Sequence, residues 1–222
     1  MRWLEATRPA GCKGSFQFPV ASFFPCSSVF FRGPCSSVFF CGMALSSTVY
    51  NLDIDLSDSD RSVYESLSLR VARHPSESEE YLVARVLAYA LEYTEGIEFS
   101  RGLCDPDDPA IAVRDLTGAL QAWIDIGTPD AARLHKAAKL APRVAVYTHK
   151  DVAQLLRNLH GEKIHRAAAV EIHAIDRAFI ALVAARLQRR MAFSLSIHDR
   201  ELYLSIGADT VSGAVVRHTI AA

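Results

Sequence analysis

Residues 115–149, DLTGALQAWIDIGTPDAARLHKAAKLAPRVAVYTH, decide the fold class. Over ALQAWIDIG (119–127), Leu120, Ala122, Ile124 and Ile126 alternate with Gln121, Trp123 and Asp125. That period of two is the signature of a strand, and Gly127 ends it. Pro129 stands near the start of a helix, DAARLHKAAKLA, that runs to Pro142; proline fits a first helical turn and stops a helix that meets it later. RVAVYTH (143–149) then reads as a compact buried strand.

The same grammar extends in both directions. Toward the C-terminus, DVAQLLRNLHG predicts a helix stopped by Gly161, AAAVEIHAI a strand, and DRAFIALVAARLQRR an amphipathic helix capped by Asp176. MAFSLSI and LYLSIG predict a terminal hairpin, and AVVRHTI a last strand. Toward the N-terminus, TVYNLDIDL (48–56) and SVYESLSLRVA (62–72) alternate with period two around the polar turn SDSDR, which predicts a hairpin. SESEEYLVARVLAYALEY (76–93) predicts a long helix, with Val83, Val86, Leu87, Ala90 and Leu91 as its apolar stripe. Ser76 and Glu79 fit a capping box at its start. IEFSRGL (97–103) reads as a short extended segment before the acidic, proline-rich loop CDPDDPA. Strands alternating with helices and flanked by hairpins predict an α/β (α+β) domain: a mixed central sheet with helices on its faces.

Bulk composition bounds the function. Half of the 222 residues are apolar and 22% are charged, and the formal net charge is −1. That argues against a phosphate-binding surface spread over a whole face. No run reaches the roughly 18 apolar residues of a membrane span, so the chain is expected to be cytoplasmic and to have no membrane partner. Four of the five cysteines (Cys12, Cys26, Cys35, Cys41) lie in the first 42 residues, leaving Cys104 alone in the rest. A lone thiol is no disulfide framework, as expected in a reducing compartment.

The first 42 residues differ in kind. PCSSVFFRG (25–33) is followed by PCSSVFFCG (34–42), a tandem copy with one change. Pro, Ser, Arg and Gly interrupt the phenylalanines, against a signal peptide, and two copies are too few for a repeat fold. Strand-like patterning begins directly after Met43. The expectation is therefore a disordered or mis-assigned extension over residues 1–42 and a single domain over residues 43–220.

Among the residues that carry chemistry, there is no Gly-rich phosphate loop, Gly-x-Ser-x-Gly elbow, His-Glu-x-x-His or Cys-x-x-Cys. What remains is a set of carboxylates. Asp115 precedes strand 119–127 and Asp125 lies near its end, while Glu77 and Glu80 are three apart on the preceding helix. Packed together, these acids would suit one Mg²⁺ or Mn²⁺, with water and substrate phosphate completing the shell. Lys136, with Arg133 one turn before it, would stabilise charge developing in phosphodiester cleavage. Arg73, Arg85, Arg101 and Arg133 flank the acids and would hold phosphates. The competing reading makes the acids ordinary: favoured charges in a first helical turn, a turn residue at Asp115 and a solvated strand end at Asp125, with the arginines as their salt-bridge partners.

Three motifs together, ARHPSESEEYLVARVLAYAL, FSRGLCDPDDPA and DLTGALQAWIDIGTPDAARLHKA, resemble the YaeQ family of bacterial proteins, from Met43 to about residue 217. The resemblance implies a variant of the restriction-endonuclease-like PD-(D/E)XK fold with extra hairpins. It also implies a metal-dependent phosphodiesterase site with Glu77 or Glu80 as helix acid, and Asp115 and Asp125 as the further acids. The motif lysine should stand at 127, where this chain has glycine, so Lys136 would have to replace it. Two functions follow as expectations. One is a Mg²⁺- or Mn²⁺-dependent nuclease-like protein that processes nucleic acid. The other is a non-catalytic regulator or adaptor that uses the same charged groove on nucleic acid or the transcription machinery.

Overall fold

The computed structural model describes residues 47–100 and 107–220, which belong to the compact unit Met43–Ala222. The expected extension over residues 1–42 lies outside the described residues. Among the described residues, ten strands form one sheet in the order β2-β1-β8-β9-β10-β7-β6-β5-β4-β3. The strands are β1 (Thr48–Asp58), β2 (Val63–Arg73), β3 (Ile97–Phe99), β4 (Ile111–Arg114), β5 (Leu120–Ile126), β6 (Arg143–Thr148), β7 (Val170–Ile175), β8 (Arg190–His198), β9 (Glu201–Ile206) and β10 (Asp209–Thr219). The helices are α1 (Glu79–Leu91), α2 (Ala131–Leu140), α3 (Val152–Leu159) and α4 (Arg177–Ala184). The mixed α/β fold with a large central sheet flanked by helices is the architecture expected from the alternating pattern.

The two halves of the sheet are built differently. β5, β6 and β7 run parallel to one another, joined by α2 and α3, and are buried on both faces. On one side Trp123, Leu134, Val146, Leu155, Leu159 and Ile172 form a core under α2 and α3. On the other, Ile124, Ile126 and Ala145 join Leu82, Leu87, Phe179, Leu195 and Leu204 in the core under α1 and α4. This double burial gives β5 and β6 near-continuous apolar sequences, as covered parallel strands require. The half made of β2, β1, β8 and β9 has one covered face, so β1 and β8 alternate buried and exposed residues along their length. Leu52, Ile54 and Leu56 point inward, while Asp53 and Asp55 face solvent and accept hydrogen bonds from Ser68 and Ser66 across the hairpin.

Parity on β5 holds for Ile124 and Ile126 on one face and Trp123 on the other, but Leu120, beyond an irregularity in the β4–β5 pairing, packs on the Trp123 side instead of with the isoleucines. The helix starts differ in one place. The N-cap of α1 is Ser78, whose hydroxyl accepts from Tyr81 N at 3.1 Å, not Ser76, which is engaged with His74. Glu77 therefore lies before the helix rather than in its first turn. A strand went unpredicted: β4 is a four-residue segment, IAVR, paired on both sides. The helix expected over residues 176–190 also closes early, at Ala184.

Candidate functional site

The parallel arrangement of β5, β6 and β7 brings their C-terminal ends to one edge, where α2, α3 and α4 begin. Each of those helices starts with an aspartate that accepts a backbone N–H: Asp130 from Arg133, Asp151 from Gln154 and Asp176 from Ala178. The start of α1 arrives at the same edge, since a Cβ at Gly127 would lie 3.7 Å from the Tyr81 ring. In open α/β sheets this edge is where ligands are bound.

Asp125 stands at its centre and is buried, 1% exposed, which rules out the solvated strand end. Arg133 holds it from α2 with two parallel bonds, Nε to Oδ2 at 2.8 Å and Nη2 to Oδ1 at 2.7 Å. The same Nη2 reaches Asp108 O at 2.7 Å, and the guanidinium lies 5.4 Å from the Trp123 ring centroid. The hydrogen bond to Asp125 raises the Arg133 pKa further above its ordinary value.

Glu77 is the second buried acid. Its Oε2 accepts from His74 N at 2.7 Å, and Arg85 Nη1 lies 3.4 Å from Oε1. That approach is an ion pair without hydrogen-bond geometry, so Oε1 is buried with no hydrogen-bond partner. Arg85 is itself tied to Ala72 O at 2.7 Å. Tyr81, between the two acid–arginine pairs, has its phenol pushed up to about 12, chiefly by burial; it is a neutral donor. Glu80 is half exposed, 4.0 Å from His149 Nε2. Burial pushes the His149 pKa down, and its Nδ1 has no hydrogen-bond partner.

The remaining expected residues go elsewhere. Asp115 closes the turn before β5, its Oδ1 accepting from Thr117 N, Thr117 Oγ1 and Ala119 N and its Oδ2 from Gln121 Nε2. The Thr117 hydroxyl leads these bonds in holding its pKa below the usual carboxylate range. It is a turn residue, at the opposite end of β5 from Asp125. At ~3.3 Å per residue, the strand between Leu120 and Asp125 alone spans roughly 16 Å. The two cannot share an ion bound at about 2.0–2.6 Å. Lys136 pairs with Asp107. Arg73 pairs with Glu79 at 3.1 Å, and Arg101 lies outside the described residues.

The expected set thus separates. Asp125 and Glu77 are each engaged by an arginine, Asp115 is remote, and no group of three potential ligands assembles among the described residues. As arranged, these donors do not fit Mg²⁺ or Mn²⁺. Gly127 belongs to the same picture. It has φ +91, a conformation L side chains rarely adopt, so a lysine at the motif position would be strained. Tyr81 and His149 were missed because their significance comes from burial beside the acids, which no spacing discloses.

The family model described as YaeQ protein matches residues 43–215. The chain belongs to the YaeQ family. It is 34% identical over 164 residues to the Escherichia coli K12 protein named "Uncharacterized protein YaeQ", covering 73% of this chain and 91% of that one. The Salmonella typhi protein of the same name is 31% identical over the same shares. Two solved structures share the fold. The YaeQ protein from Pseudomonas syringae superimposes with a TM-score of 0.71 at 29% identity, over 78% of this chain and 96% of that one. The YaeQ protein from Xanthomonas axonopodis pv. citri gives 0.72 at 31%, over 78% and 99%. Among the described residues, no helix is long and apolar enough to cross a membrane.

Proposed function

We propose that this YaeQ-family protein is a non-catalytic, nucleic-acid-associated adaptor, built on a variant of the restriction-endonuclease-like PD-(D/E)XK scaffold. The observation that carries this reading is the bidentate Arg133–Asp125 pair. A guanidinium occupies both oxygens of the acid that would otherwise face a metal, and it is locked there by Asp108 and Trp123. Around this neutralised centre, the exposed Lys150 and Arg177 present cations at the solvent-facing edge. They suit sequence-independent contact with phosphates, which is strongly salt-dependent. The transcription machinery is the setting in which such an adaptor would work.

One observation favours a second reading, a metal-dependent nuclease. Glu77 Oε1 is buried without a hydrogen-bond partner, and a metal-bound water would satisfy it if Arg133 withdrew from Asp125. Calorimetric titration of the full chain with Mn²⁺, beside Asp125→Ala, separates the two. The adaptor gives no heat of binding in either protein, while labelled DNA and RNA bind and lose affinity steeply with added salt. Mn²⁺ binding abolished by Asp125→Ala, together with phosphodiester cleavage, establishes the nuclease instead. Absence of both metal and nucleic-acid binding rejects both readings.

A further inference from the structure

At the far end of α1, 13 residues and so about 20 Å from Glu77, lies a cleft of about 320 Å³. Its floor is the α1-facing side of β6, β7 and β10, and its rim is made by the β1–β2 and β8–β9 turns. Arg143 bridges two acids, giving Nη1 and Nη2 to Glu92 at 2.5 and 2.9 Å and Nη2 to Glu171 at 2.7 Å. Glu92 also accepts from the buried Tyr147 hydroxyl at 2.7 Å, and Glu171 from Arg217 Nη2 at 2.8 Å. His173 stacks on Tyr147 with ring centroids 4.7 Å apart and planes at 12°. Asp60, on the β1–β2 turn, accepts from the backbone of Asp199 and Arg200. This pins the β8–β9 turn so that Arg200 lines the cleft.

The bookkeeping of donors and acceptors decides what fits. Glu92 and Glu171 are spoken for by arginines, tyrosine and histidine, Asp58 by Arg61 at 2.6 Å and Asp60 by the backbone of Asp199 and Arg200, so every acid lining the cleft already has its partner. Donors remain. The Arg200 guanidinium has no hydrogen-bond partner among the described residues, and Arg217 uses Nη2 alone. Beside them the lining is flat or apolar: His173, Leu91, Ile197 and Val215. A volume near 300 Å³ is the small-ligand range. We infer that this cleft binds a small organic anion with a planar ring, a nucleoside monophosphate. Its phosphate is taken by Arg200 and Arg217, and its base lies against the exposed side of His173. The inference does not depend on the proposed adaptor function, which concerns the other end of α1.

Titrations of the full chain with the four ribonucleoside monophosphates, inorganic phosphate and benzoate, followed by calorimetry, test it. At least one nucleotide is expected to bind about tenfold more tightly than either phosphate or benzoate. Arg200→Ala, at an exposed turn, should weaken that binding about tenfold while its unliganded melting temperature stays at that of the parent. Arg200→Lys guards against a turn defect and should restore part of the affinity. Lys136→Glu, at the other end of α1, should leave binding unchanged. The inference is overturned if no nucleotide binds at about 5 mM, beyond the millimolar limit of weak recognition. Equal binding of phosphate or benzoate overturns the nucleotide assignment, and full affinity in Arg200→Ala, or loss of affinity in Lys136→Glu, overturns the location.

Discussion

Asp125 and Arg133 form a pair in which the two partners have unequal exposure: the acid side chain is 2% exposed and the arginine side chain 25%. Removing the guanidinium strands a buried charge, whereas removing both partners does not. Arg133→Ala should therefore lower the unfolding free energy by about 3 kcal/mol in urea titration, at the low end for a buried pair because Arg133 is partly solvated. Arg133→Met combined with Asp125→Leu should recover most of it. Two residues on, Gly127→Lys would restore the motif lysine that the resemblance implies. With φ +91 it should instead cost about 1–2 kcal/mol, and Mn²⁺ binding should not appear. His149 sets a pH dependence. Burial depresses its folded pKa below the ordinary 6.5, so the unfolded chain takes up the proton first as pH falls. Stability from this group is complete above about 6.5 and drains away on acidification until the folded pKa is reached. Melting temperatures measured from pH 7.5 to 5.5 should fall, and His149→Phe should flatten that slope.

At the level of elements, the helix caps and strand alternation were legible because their causes are local. Asp176 caps α4 as read, and β5 carries Ile124, Ile126 and Trp123 on the expected faces, though Leu120 falls on the other side past the pairing irregularity. Ser76 misled because the neighbouring His74 offers its hydroxyl a partner and leaves Ser78 to cap α1. β4 was illegible because four residues between a loop and a turn carry no period, and their strand character comes from the neighbours on either side. Of the site, spacing brought out the acids and the flanking arginines. It could not tell which carboxylates those arginines neutralise, because Arg133 reaches Asp125 across a strand–helix junction. The packing of α4 on β10 rests on another non-local fit. A Cβ at Gly213 would stand 2.5 Å from Phe179 Cβ and Cγ, and Phe179 is fully buried. Gly213→Ala should destabilise the protein by about 1–3 kcal/mol through overpacking, read as a lower urea midpoint at unchanged slope. Gly213→Ala with Phe179→Leu should be milder.

Across the whole molecule, sequence pattern gave the layers but not the order of the strands. Hairpins announced themselves, since their partners are adjacent in the chain. Three connections did not: β10 placed against β7, the parallel run of β5 to β7, and β1 laid parallel to β8. The last of these has a temporal consequence. Asn51 pairs with Arg190 and Asp58 with Ile197, so the hairpin made first during synthesis waits for most of the chain before its inner edge is covered. A nascent chain stopped short of Arg190 presents β1 as an open, alternating edge with Leu52, Ile54 and Leu56 uncovered, the kind of surface that pairs with other chains. Closing so long a loop is slow, because its entropy is lost before any contact compensates. Refolding from urea should be correspondingly slow and should lose yield as protein concentration rises, and chains truncated before β8 should collect in the insoluble fraction. Newly made copies of this protein are thus most in need of chaperone shelter during the interval between emergence of the first hairpin and arrival of the eighth strand.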